Sequence, residues 1–248
     1  MIPHDETTLL NELAKRTGIY LKDEDVCKKE LLELLVKDPM GIRSFDHPYA
    51  HDVIEEVGLH SFADAIYMQA LLHSTSGWID NAERLIYEKD MELKDVVSNR
   101  DDIMLYLMSL GMERESACKI ATNVRKGKGL TLQEEQQMLD VGVEPWYIHS
   151  CKMIRYLFPK SHVVSYLMND LRLAYYKLYH TQMFLDTYFQ VVVPDMVEEI
   201  KQGGVQYIRR KLVELEMEEP CSDNWTEKEE HRALRLAISF YKKGYSLS

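Results

Sequence analysis

Residues 145–180, PWYIHSCKMIRYLFPKSHVVSYLMNDLRLAYYKLYH, set Lys152, Arg155, Lys160, His162, Arg172 and Lys177 among Trp146, Tyr147, Tyr156, Phe158, Tyr166, Tyr175 and Tyr176. Cations interleaved with flat rings suit a surface that holds phosphates and stacks bases. Proline cannot sit inside a helix and forces its predecessor toward extended geometry, so Phe158-Pro159 predicts a helix end. Ser161 then reads as the N-cap of a second helix starting near His162. Lys160 and His162 flank that start, where free N–H groups and the helix dipole already favour an anion. Arg172 follows His162 by ten residues, close to three turns at about 3.6 residues per turn, in one broad sector of the helix surface. The same stretch also reads as an amphipathic helix with snorkelling cations over an aromatic core side, and spacing alone favours that plainer reading.

Outward from this stretch the pattern is helical almost throughout. Seven prolines and eleven glycines in 248 residues are few, thirteen methionines are many, and the apolar periodicity is that of helices. Helices are expected over 5–18, 23–36, 50–57, 61–72, 78–87, 103–110, 113–125 and 131–139, and again on both sides of Pro159. Ser98 to Asp102 reads as the cap of the Ile103 helix, and Thr131 with Glu134 has capping-box spacing. Residues 41–49 read as a loop because Pro48 disfavours helix before it. After His180 the chain continues helical to Phe189, Gln190 to Val193 is the one short β-branched run, and helices follow over 194–203, 205–216 and 226–243. The expected fold is all-α and irregular, with at most one short β segment near 190–193. The acidic stretch Glu218 to Trp225 is the best linker candidate. It divides the chain into 1–217, a helical domain, and 218–248, a linker with a terminal helix.

An apolar content of 46% with 29% charged residues describes a globular chain large enough for a sizeable core. No apolar run approaches the roughly 18 residues of a membrane span, and the N-terminus lacks a signal-peptide pattern. The expected location is the cytoplasm, with no membrane partner. Cysteines 27, 118, 151 and 221 form no CxxC pair and read as ordinary reduced thiols. The net charge of −11 argues against a general nucleic-acid coat protein. Its distribution is uneven, however: Lys119 to Lys177 carries nine Lys/Arg against five acids, net +4, which leaves −15 for the remainder. A basic middle in an acidic chain suits an anionic ligand held at one face.

Val124-Arg-Lys-Gly-Lys-Gly-Leu130 is the sharpest local signal. Its glycines would let backbone approach a ligand closely while three cations supply charge, or it is a helix C-cap, where Gly and cations are both normal. It lacks the GxxxxGK[ST] form of a nucleotide-binding P-loop. His47 and His51, with Asp46 and Asp52, could hold a divalent metal, but Pro48 interrupts the helix they need, and a solvated loop and helix start is the better reading. Asp101-Asp102 resembles a metal-carboxylate pair, yet neighbours on a helix do not face each other and helix capping accounts for them. No catalytic residue and no metal ligand is assigned, and no Ser/His/Asp order, nucleophile elbow or Rossmann fingerprint is present.

Several ordered motifs resemble the fingers of bacterial DNA polymerase III alpha subunits of the PolC type. They are Leu71-x-His-x-Thr-x-x-Trp78 with Asn81-Ala82, Arg100-Asp-Asp-Ile-Met104, Val124-Arg-Lys-Gly-Lys-Gly-Leu-Thr131, Trp146-Tyr-Ile-x-Ser-Cys-Lys152, Phe158-Pro-Lys-Ser-His162 and Ala174-Tyr-x-Lys177. The similarity runs from about His4 to Tyr245 and is strongest between Leu71 and Phe189. In that family the fingers close on the incoming deoxynucleoside triphosphate and the templating base. The resemblance therefore implies a dNTP- and template-binding surface formed by Arg100, Arg125, Lys126, Lys128, Lys152, Lys160, His162 and Arg172. Cations suit that task by offsetting the triphosphate charge and the charge developing on the leaving pyrophosphate.

Such polymerases carry their metal-binding aspartates on a palm that precedes the fingers, and this sequence contains no such set. The resemblance thus implies a part of a DNA-directed DNA polymerase, a nucleotidyltransferase, that is not catalytic alone. No cofactor is expected on the chain by itself, and Mg with dNTP only when a palm domain is supplied. The implied partners are primer-template DNA, dNTP and a separate palm-containing polymerase chain. The alternative is a stand-alone, catalytically inactive paralogue that binds DNA or docks a protein. Two departures accompany the match. The family's Gly-Ile-Pro-Glu-Phe-Gly loop stands here as Gly41-Ile-Arg-Ser-Phe-Asp46, and Asn169-Asp170 replace hydrophobic and small residues, where an acid facing a triphosphate would repel it.

Overall fold

A computed structural model describes residues 6–217 and 225–248. Fourteen α-helices account for most of those residues, and no strand occurs among them; an isolated antiparallel bridge joins Thr75 to Tyr156. Among the described residues no helix is long and apolar enough to cross a membrane. The chain divides into two compact units, residues 59–167 and residues 1–58 with 168–248, and the Lys160–Tyr179 helix belongs partly to each. The linker expected over 218–225 lies outside the described residues but for Trp225, which opens the last helix.

The 59–167 unit is built on helices Arg100–Ser109, Arg114–Arg125, Leu132–Asp140 and Pro145–Met153. Ile103, Leu107, Ala117, Ile120, Ala121, Val124, Met138, Tyr147, Ile148 and Cys151 recur at helical spacing and close into one buried cluster with Ile154 and Leu157 of the segment that follows. Several helix starts have a local cause. Asn99 Oδ1 accepts from the N–H groups of Asp101 and Asp102, and Glu113 from those of Glu115 and Ser116. Ser61 caps Phe62–Leu72 by accepting from Asp64 N–H at 3.1 Å. The Thr131–Glu134 capping box forms in both directions. Glu134 is 3% exposed; burial alone would raise its pKa, and bonds from Thr131 and Asn123 hold it below the ordinary value instead.

In the other unit Glu6–Thr17 packs on Thr181–Val192, Lys29–Lys37 on Pro48–Val57, and Trp225–Lys242 on both Thr181–Val192 and Val197–Met217. Leu13, Leu35, Phe45, Ile54, Phe184, Phe189, Leu234 and Phe240 are buried there.

Four local expectations are corrected. The helix expected over 23–36 is two, Asp23–Val26 and Lys29–Lys37, because Lys28 turns extended and its ammonium lies over the rings of Tyr175 and Tyr179 at 5.5 and 5.6 Å. Pro48 begins a helix instead of preceding one: it stands in the first turn, where its missing N–H costs nothing. Gln190 to Val192 is the end of the Thr181–Val192 helix, its β-branched preference overridden by packing of Phe184, Leu185, Tyr188 and Phe189. The helix from Pro145 ends at Met153, not at Phe158, since Ile154 adopts φ −62°, ψ 132° and the chain runs on extended to Pro159.

Candidate nucleic-acid interface

That extended segment bonds to two of the predicted residues of the 59–167 unit, Arg100 and Arg125, and to Thr75. Arg155 N–H donates to the Thr75 carbonyl at 2.9 Å, and Thr75 N–H to the Tyr156 carbonyl at 3.0 Å. Leu157 N–H donates to the Arg125 carbonyl at 3.1 Å, and Arg100 N–H to the Phe158 carbonyl at 3.2 Å. Three motifs separated in sequence, those of Thr75, Arg100 and Arg125, are thus tied to residues 155–158 through main chain alone.

The Arg125–Gly129 stretch ends the Arg114–Arg125 helix. Lys126 N–H bonds the Thr122 carbonyl and Lys128 N–H the Asn123 carbonyl, the pattern of a helix C-cap with Gly127 at φ +67°. Gly127 does make a close approach, but to Arg155: a Cβ there would stand 2.2 Å from the Arg155 carbonyl oxygen. The Arg125 guanidinium lies 5.9 Å from the Tyr156 ring centre, and its Nε is buried without a hydrogen-bond acceptor. Tyr156, Phe158 and Tyr166 continue as edge-to-face rings at 5.0 and 6.1 Å.

The eight cations and near-cations named from sequence fall into two electrostatic groups. Arg100 pairs with Asp101, Lys160 with Asp102 at 2.9 Å, and Lys152 with Glu135 at 2.8 Å. Arg172 lies in the other unit and pairs with Asp23 at 2.5 Å. Arg125, Lys126 and Lys128 have no carboxylate partner among the described residues; Lys126, Lys128 and His162 are exposed. Arg155, which sequence reasoning noted but did not place in the site, is likewise exposed beside Gly127 and without a carboxylate among the described residues.

Two further groups were missed. The Lys160 helix begins earlier than expected, and its first N–H is capped by Asp101 Oδ2 at 2.7 Å, not by Ser161. A helix preceded by Pro159, which has no side-chain acceptor, needs one from elsewhere, and that was the available signal. Asp101 is held below the ordinary carboxylate pKa: burial opposes this, and the Arg100 guanidinium and Lys160 N–H outweigh it. Lys160 is raised in turn, burial opposed by the Asp102 bond, and its ammonium lies 5.2 Å from the Tyr67 ring centre. Asp170 is fully buried. Among the described residues no cluster of three His, Cys, Asp or Glu is placed to hold a metal ion. His47 instead accepts from Tyr49 N–H at the start of the Pro48–Val57 helix.

The Asn81-Ala82 and Trp146–Lys152 motifs are also bonded to each other. Asn81 Nδ2 donates to the Ser76 and Ser150 carbonyls, and Ser150 Oγ donates to Asn81 Oδ1 at 2.6 Å in a buried position. The family model of the bacterial DNA polymerase III alpha subunit finger domain matches residues 5–144. The chain belongs to this family. The DNA polymerase III PolC-type of Caldanaerobacter subterraneus subsp. tengcongensis is 34% identical over 98% of the chain. That of Listeria innocua serovar 6a is 35% identical over 87%, and that of Bacillus subtilis strain 168 is 31% identical over 99%. The chain spans 18%, 16% and 18% of the lengths of these relatives respectively. The finger domain is therefore of the PolC type, and its all-α architecture agrees with that membership.

Proposed function

We propose that the finger domain binds the incoming dNTP and the template strand through Arg125, Lys126 and Lys128, with Arg155 on the extended segment and His162 in the first turn of the Lys160–Tyr179 helix that follows it. The single supporting observation is a charge asymmetry. Neighbouring cations are neutralised by carboxylates, whereas the helix-end cations 125, 126 and 128 have none among the described residues, on a loop fixed by the Gly127 approach. Lys126 and Lys128 are exposed and hydrated, so their charge is not offset within the protein and adds to a local positive potential that attracts an anion from outside. The rings of Tyr156 and Tyr166 supply base-stacking faces beside it. Nucleotide transfer requires a palm-bearing polymerase chain, which would also supply the carboxylates for Mg with dNTP.

Titrating labelled primer-template DNA and dATP into the chain across a salt series tests this. Binding is expected to be weak and salt-sensitive. Lys126→Ala with Lys128→Ala should lower the slope of log K against log salt by about 0.9 for each duplex phosphate that the variant no longer neutralises. Affinity and slope unchanged by the double substitution would overturn the assignment. The net charge of −11 favours a second reading, an inactive relative that binds DNA or docks a protein. Addition of a palm-bearing chain distinguishes the two, since the second reading gives no nucleotide incorporation.

A further inference from the structure

Lys160 is held twice by the start of the Arg100–Ser109 helix. Its backbone N–H donates to Asp101 Oδ2 at 2.7 Å and its ammonium to Asp102 Oδ1 at 2.9 Å. The other two carboxylate oxygens are also occupied: Asp101 Oδ1 accepts from the Arg100 guanidinium, and Asp102 Oδ2 from Asn99 Nδ2 at 2.5 Å. Arg100 N–H closes the set on the Phe158 carbonyl at 3.2 Å. Asn99 is fully buried, and the side chains of Asp101 and Asp102 are 23% and 25% exposed.

Adjacent carboxylates in one helical turn repel each other unless each is compensated. Here each has its own cation and no acceptor is left over. All four carboxylate oxygens are bonded, which holds the network in place, and one donor is left over: Arg100 Nε is buried without a hydrogen-bond partner.

We propose that Asp101 and Asp102 are positioning residues that clamp residues 158–160 to the Arg100 helix, and that Arg100 and Lys160 are counter-ions of this clamp, not phosphate ligands. The clamp fixes the first turn of the Lys160–Tyr179 helix, which carries the exposed His162, and the end of the extended segment that carries Arg155 and Tyr156. Its consequence for ligand binding rests on the function proposed above; the clamp itself rests on the distances.

Two readouts on the full chain separate these. In amide hydrogen exchange, Asp101→Ala should speed exchange at residues 160–163 by about tenfold, the worth of one hydrogen bond to a charged group. Asp101→Asn keeps an oxygen that can accept from Lys160 N–H and should restore most of the protection. Exchange unchanged in Asp101→Ala would remove the clamp. In primer-template titrations, Asp102→Asn and Lys160→Met should each weaken binding several-fold with the salt slope unchanged, and the double variant should be no weaker than either alone. Tighter binding by Asp102→Asn, or a reduced slope for Lys160→Met, would show that Lys160 meets phosphate and overturn the counter-ion role. A wild-type chain that binds no primer-template would refute the proposed function, while the exchange data would still decide the clamp.

Discussion

Gly127 and Arg155 meet backbone to backbone, so close that any side chain at 127 would collide with a carbonyl oxygen that cannot move without breaking its neighbours' bonds. Arg155 N–H is committed to Thr75, and Leu157 N–H to Arg125, on either side of that carbonyl. The loop bearing Arg125, Lys126 and Lys128 is thus registered against the 154–159 segment by the absence of one carbon atom.

Gly127→Ala should therefore combine backbone strain at φ +67° with a 2.2 Å overlap and cost about 2–4 kcal/mol. Gly129 also has positive φ, +70°, but nothing within 4 Å of an added Cβ. Gly129→Ala should cost only the strain, about 1 kcal/mol. Urea unfolding of the two variants measures the difference; equal costs would mean that the Gly127–Arg155 approach is not structurally important.

What could be read from sequence and what could not divides by the range of the interaction. The Thr131–Glu134 box and the Ser61 cap were legible because both partners lie within one turn. The break at Cys27–Lys28 was not, since the rings under the Lys28 ammonium belong to Tyr175 and Tyr179. The end of the Pro145 helix at Met153 depends on hydrogen bonds to Thr75, Arg125 and Arg100, none of them local. Asp101 was legible as a first-turn acid of its own helix, but its role as acceptor for Lys160, 59 residues on, is set by tertiary structure. For the candidate site, residue types and motifs identified the cations; only coordinates distinguish paired Arg100, Lys152, Lys160 and Arg172 from Arg125, Lys126 and Lys128, which lack a carboxylate among the described residues.

Glu134 joins two helices. It accepts from Thr131 N–H and hydroxyl at 2.9 and 3.0 Å and from Asn123 Nδ2 at 2.9 Å. Glu134→Ala strands those donors and should destabilise by about 2 kcal/mol. Lys119 approaches the same carboxylate only at 3.9 Å and is 72% exposed, so Lys119→Ala should change stability by less than about 0.5 kcal/mol. Because the folded-state pKa of Glu134 is depressed, its contribution is present above the unfolded pKa and lost as pH falls through the folded one. Thermal unfolding of wild type and Glu134→Ala should accordingly converge on acidification. A gap that widened in acid would contradict the assigned hydrogen bonding.

Lys177 is the one lysine buried to 4% exposure among the described residues, and it holds the 38–41 turn of its own unit. Its ammonium donates to the Asp38 and Met40 carbonyls at 2.5 and 2.8 Å and pairs with the Asp38 carboxylate at 2.9 Å. Burial pulls its pKa down from 10.5 to about 8 against the pull of Asp38. Lys177→Met leaves two carbonyls without a donor and should cost about 3 kcal/mol, although Asp38 keeps Lys243. The pH dependence has a definite sign. Between about 8 and 10.5 the unfolded chain binds the lysine proton and the folded chain does not, so stability rises with pH across that window. Denaturant midpoints of wild type and Lys177→Met at pH 8 and pH 10 test this. The wild-type advantage should grow toward pH 10, whereas an advantage that shrinks would show that the ion pair with Asp38 outweighs burial and that Lys177 is charged throughout.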